Sequence, residues 1–134
     1  MITELTPYEI REGIRYYDFK KSCFYLQYLG KQLYGPKFKL HNSDKKILYK
    51  LFVYSIRDEE NCVKHDIDLS KGILLTGPVG CGKTSLLTLM RHFVYRPELY
   101  QIKSTREIAA EYQKEGHSII LKYGKLNKPI CVDD

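Results

Sequence analysis

The chain has 134 residues, 43% of them hydrophobic and 28% charged, and a net charge of +6. It is long enough for one domain with an appendage, too apolar for a disordered segment, and lacks the ~18 consecutive apolar residues of a membrane span. Four cysteines, Cys23, Cys62, Cys81 and Cys131, lie scattered without a C-x-x-C pair. They argue against a disulfide framework or a zinc site and read as reduced thiols. The opening MITELTPYEI has no basic start followed by an apolar core, so the expectation is a cytoplasmic protein.

Taken in order, Thr6-Pro7-Tyr8-Glu9 has the form of a capping box and predicts a helix starting there. Tyr16, Phe19, Cys23, Leu26, Gly30 and Leu33 recur at helical spacing up to the Gly35-Pro36 break. A basic connector, Lys37 to Ser43, leads to a second helix, capped by Asn42 or Ser43 and running to about Glu59. Its buried face is expected to be Ile47, Leu48, Leu51, Phe52 and Ser55, and its closing acids Asp58, Glu59 and Glu60 stand at the unfavourable end of the dipole. Asn61 to Ser70 reads as a linker with an exposed His65. Gly72 to Thr76 reads as a short buried strand, followed by a helix over Thr84 to Val94 with Leu86, Leu87, Met90 and Phe93 on one face. A second strand is expected over Leu99 to Lys103. Ser104-x-x-Glu107 opens a helix ending at Gly116, with Ile108, Ala109 and Tyr112 inward. Ser118 to Tyr123 is a short helix, and Pro129 to Val132 a final strand. Strands alternating with helices predict an α/β fold with a parallel sheet and flanking helices, preceded by an N-terminal helical region.

Between the first expected strand and its helix lies Gly77-Pro78-Val79-Gly80-Cys81-Gly82-Lys83-Thr84. It fits the phosphate-loop pattern G-x-x-x-x-G-K-[ST] at every specified position. Its glycines let backbone N–H groups face an anion at a helix N-terminus. Lys83 would reach the β- and γ-phosphates of ATP, Thr84 would offer its hydroxyl to Mg²⁺, and Ser85 continues the phosphate-binding run. Cys81, beside a helix N-terminus, is either a small residue that fits the loop or a thiol of lowered pKa. The ending Pro129-Ile130-Cys131-Val132-Asp133-Asp134 places acids at the carboxyl end of a strand, where ligands of open α/β sheets gather. Asp133 would hold Mg²⁺ through water, and Asp134 would polarise the attacking water.

GPVGCGKT together with ICVDD resembles the AAA+ ATPases, and within them the DnaC/IstB-like group of helicase loaders and transposase helpers. The likeness covers residues 66–134, leaving 1–65 as a basic, tyrosine-rich N-terminal region. Most AAA+ proteins carry Asp-Glu at the second motif, and the Asp-Asp pair looks more like the loader group. The resemblance implies ATP binding, hydrolysis in the full-length protein, a replicative helicase or transposase as partner, and room for a homo-oligomer. It also points to Ile67 and Leu69 as adenine contacts. In that family a sensor strand, an arginine finger and a helical lid follow the second motif, and the strand order 5-1-4-3-2 puts another strand between Gly72–Thr76 and Pro129–Val132. The chain is therefore expected to be a piece of a longer reading frame that turns over almost no ATP by itself. A small-molecule kinase and a non-hydrolysing nucleotide-sensing adaptor are the alternatives.

The charge is uneven. Residues 15–50 hold nine basic residues and two acids, interleaved with Tyr16, Tyr17, Tyr25, Tyr28, Tyr34 and Tyr49. Three accounts fit this region: tyrosines packed inward under solvated lysines, a docking surface for a partner, or a site for single-stranded DNA.

Overall fold

A computed structural model describes residues 5–78, 80 and 82–134. It is a mixed α/β structure that divides into two compact units, one running to His92 and the other spanning Phe93–Asp134.

The first unit opens with a hairpin where a helix was expected. Strand β1, Tyr8–Arg11, pairs antiparallel with β2, Ile14–Tyr17, with Tyr8 opposite Tyr17 and Arg11 opposite Ile14. Glu12 and Gly13 have φ of 50° and 78°, the left-handed pair that a two-residue hairpin turn requires. Tyrosine and isoleucine favour the pleated form, and the Thr6-x-x-Glu9 spacing caps no helix. The helix begins later. Helix α1, Phe19–Tyr34, is capped by Asp18, whose carboxylate accepts from the Lys21 N–H at 2.7 Å. Its buried residues are Ser22, Leu26 and Gly30. Tyr16 of the expected stripe sits on the hairpin instead, and Leu33 is exposed.

Helix α2, Lys45–Ser55, buries Leu48, Leu51, Phe52, Val53 and Ser55 and leaves Ile47 exposed. It ends well before Glu59, because Arg57 turns left-handed at φ 56°. The acids that seemed to close α2 therefore open α3, Glu59–Lys64. Asp58 caps it by accepting from the Asn61 N–H at 3.1 Å, and Glu59 and Glu60 lie in its first turn, the favourable end of the dipole. His65 is half-buried at the end of α3, its ring 4.7 Å from that of Tyr49. Phe19 sets its edge against Tyr49 and Phe52, with centroids 5.3 and 5.9 Å away. Helix α4, Lys83–Met90, packs on both α1 and α2, burying Leu89 and Met90 fully while Leu86 and Leu87 remain half-buried. It stops short of the expected Val94.

Gly72–Thr76 belongs to neither sheet, and Ile73 and Leu74 are 46% and 88% exposed. An apolar run becomes a parallel strand only beside a neighbour that takes up its N–H and C=O groups, and among the described residues no strand pairs with it.

In the second unit β3, Gln101–Ser104, pairs in parallel with β4, Ile130–Asp133, Ser104 lying opposite Asp133. Between them run α5, Thr105–Glu115, and α6, Ser118–Gly124. The Ser104/Glu107 capping box forms in both directions, and Gly116 closes α5 at φ 70°. Of the expected inner face of α5, Ile108 is half-buried, while Ala109 and Tyr112 are exposed. The parallel pair with its helical crossover matches the alternation read from the sequence; the larger sheet does not form among the described residues. No helix among them is long and apolar enough to cross a membrane.

Candidate phosphate-binding site

The loop leaves the first unit's core where Tyr54 Oη donates to the Lys71 carbonyl at 2.7 Å, tying the segment before Gly72 to α2. Gly77, Pro78, Gly80 and Gly82 are exposed. Gly80 and Gly82 have φ of 79° and 90°, a backbone that residues with a Cβ rarely adopt, so these two glycines are required by geometry. Left-handed residues in such turns help form concavities lined by N–H groups. Val79 and Cys81, both assigned to the loop, lie outside the described residues.

Gly82 caps α4, accepting from the Leu86 N–H at 2.9 Å. The first turn of α4 then presents Lys83, Thr84 and Ser85. Lys83 Nζ donates to the carbonyls of Gly77 and Pro78, both at 2.8 Å. The side chain thus folds back across the loop and holds its ammonium beside the turn. Thr84 is exposed, its carbonyl accepting from Thr88 Oγ1 at 2.8 Å, and Ser85 is half-buried. A helix start with a cation held beside glycine backbone suits a phosphate group.

Ile67 and Leu69 are half-buried and line a cleft of ≈ 530 Å³ together with Cys62, Val63, Asp66 and Asp68. The cleft rests on α3, whose Cys62 carbonyl accepts from the Ile67 N–H at 2.8 Å.

Asp133 and Asp134 belong to the second unit. Asp133 ends β4 half-buried, and Asp134 is exposed beyond it. The loop and the acids thus lie on different units, each with its own packing. No group of three or more potential metal ligands occurs among the described residues. Cys23, Cys62 and Cys131 are free thiols. Burial pushes all three above the ordinary cysteine value, with Asp133 adding to the effect at Cys131.

The sequence reading missed one cluster. Lys103 Nζ lies 2.7 Å from Glu111 Oε1 and donates to Tyr123 Oη at 2.8 Å, while Tyr123 Oη donates to Glu111 Oε2 at 2.6 Å. The triangle joins β3, α5 and α6. Its members are 8 and 20 residues apart, a spacing no local pattern reports. The hydrogen bonds from Lys103 and then Tyr123 hold Glu111 below the usual carboxylate range, and those to Glu111 and Tyr123 raise Lys103.

Compared with protein-family models, curated proteins and solved structures, the chain matches none.

Proposed function

We propose that the chain is an ATP-binding module of P-loop, AAA+-like type. Such a module would couple nucleotide state to the grip on DNA or on a partner such as a helicase or transposase. The observation that carries this reading is the loop Gly77–Thr84, with left-handed glycines at 80 and 82 and Lys83 folded back over it at the start of α4. Lys83 donates to two loop carbonyls and would exchange them for the β- and γ-phosphate oxygens, where both partners are charged and the contact is stronger than to a neutral carbonyl. Thr84 Oγ1 would ligate Mg²⁺; the acids that end β4, Asp133 and Asp134, are of the kind that hold such an ion through water and orient a nucleophilic water. Mg²⁺ would supply charge neutralisation across the phosphates. Ile67 and Leu69 would contact the adenine from the cleft above α3. Free, high-pKa thiols at Cys23, Cys62 and Cys131 suit the reducing cytoplasm.

Calorimetric titration with Mg·ATP tests the reading. Weak, saturable heat is expected from this chain, and Lys83→Ala should reduce the affinity by roughly 10-fold or more, about 1.4 kcal/mol, with the helical circular-dichroism signal unchanged. Equal heats from both proteins, or none from the unsubstituted one, would overturn it.

A further inference from the structure

Most of the aromatic rings in the basic region have partners within the fold. Tyr49 lies against Phe19 and His65, and Tyr34 stacks on Phe38 at 5.7 Å. Tyr8 and Tyr17 face each other across the hairpin, with Arg15 over Tyr8 and Arg11 over Tyr16. Phe24 and Tyr28 are different. They are 62% and 47% exposed, and neither makes a ring or cation–π contact among the described residues.

Their position on α1 is specific. At 3.6 residues per turn, each lies roughly 160° from Leu26, the centre of the buried stripe. Lys20 and Lys31, both exposed, share that outer face, and the four side chains fall within an arc of about 80° over an axial length of roughly 16 Å. Lys21, exposed, borders it and is paired with Glu9 at 3.1 Å. Two large rings at the solvent pole, bracketed by cations, stand in the segment that carries a surplus of seven positive charges. A protein dock would use the two rings and leave the lysines at a solvated rim. A polyanion whose flat bases can lie on rings uses all four groups.

We propose that the outer face of α1 (Lys20, Phe24, Tyr28 and Lys31) binds single-stranded nucleic acid, with bases stacked on Phe24 and Tyr28 and phosphates held by the two lysines. The binding is sequence-tolerant, since every base has a π-face, and salt-dependent, since cations are released from the phosphates. It does not depend on the phosphate loop.

The test uses the whole chain, a fluorescein-labelled 20-nucleotide oligo-dT and no ATP. Binding is expected at low salt and should survive Lys83→Ala, so that failure of the nucleotide reading leaves this one intact. Phe24→Leu with Tyr28→Leu keeps the apolar area and removes the ring planes, and should weaken binding roughly 10-fold or more. Lys20→Gln with Lys31→Gln should flatten the slope of log K against log salt by roughly 1.4. Ultraviolet crosslinking followed by trypsin should place the adduct on Ser22–Lys31. Unchanged affinity in the leucine pair would show that the two rings stack on no base and overturn the proposal. So would absence of oligo-dT binding at low salt, or an adduct confined to other peptides. Thermal melts of the variants matching that of the unsubstituted chain confirm that the readouts report binding, since all four substitutions lie on the outer face.

Discussion

A methyl group added at Gly30 would run into the ring of Phe38. That close approach, with the Gln27 side-chain carbonyl accepting from the Leu40 N–H at 3.1 Å, fastens the connector after α1 to the helix it has just left. Lys37 and Lys39, on either side of Phe38, are therefore carried by an anchored segment. Gly30→Ala should force Phe38 out of its seat and cost about 1–3 kcal/mol, the usual range for overpacking. A urea titration checks it: the midpoint should fall with the slope retained, and Gly30→Ala combined with Phe38→Ala should recover part of the loss. The spacing that puts Gly30 on the stripe was visible in the sequence; the ring that requires a glycine there was not, because Phe38 comes from beyond the helix. At the phosphate loop the reverse holds. Every specified residue could be read directly, since the glycine, lysine and hydroxyl positions are adjacent in the chain and their chemistry is local.

Among the elements, capping decides where sequence reading succeeds. Ser104 and Glu107 bond reciprocally at 3.1 and 2.8 Å, and this box starts α5 as its sequence indicates. Thr6 and Glu9 have the same spacing, yet they flank a hairpin. Glu12-Gly13 lies close behind, and a turn with two left-handed residues ends any helix before it has three bonded turns. Asp18, which in fact caps α1, carries no Glu or Gln three residues on to advertise it; Lys21 stands there. Ser104→Ala should therefore destabilise the second unit by about 0.5–2 kcal/mol, whereas Thr6→Ala should leave α1 unaffected. Amide hydrogen exchange separates the two: protection is expected to fall across residues 105–108 in the first variant and to stay unchanged across 19–22 in the second. The Gly72–Thr76 run was misread for another reason. Its apolar pattern is real, but a strand is a property of two segments, and pairing cannot be read from one of them.

For the molecule as a whole, two tertiary polar devices set how stability responds to pH and charge. The Lys103–Glu111–Tyr123 triangle couples three elements of the second unit. Glu111 titrates below its ordinary value of 4.5, so its contribution is present above that value and is lost as pH falls through the lowered folded value. Lys103 titrates above its ordinary 10.5, so its contribution is complete below 10.5 and is lost as pH rises through the raised folded value. Thermal melts should show Glu111→Gln less stable than the unsubstituted chain at pH 7, with the gap narrowing as pH falls below 4.5; a gap independent of pH would contradict the assignment. The second device is the uneven charge, which keeps the basic surplus on the N-terminal segment and leaves the remainder of the chain near neutral. Helix α4 adds a mechanical consequence. Leu89 and Met90 are fully buried at its far end, Lys83 to Thr88 are half-buried or exposed, and the helix contacts both α1 and α2. Burial in α4 is thus concentrated at the end away from the phosphate loop, so a load placed on Lys83 would travel roughly 10 Å along a helix that α1 also touches.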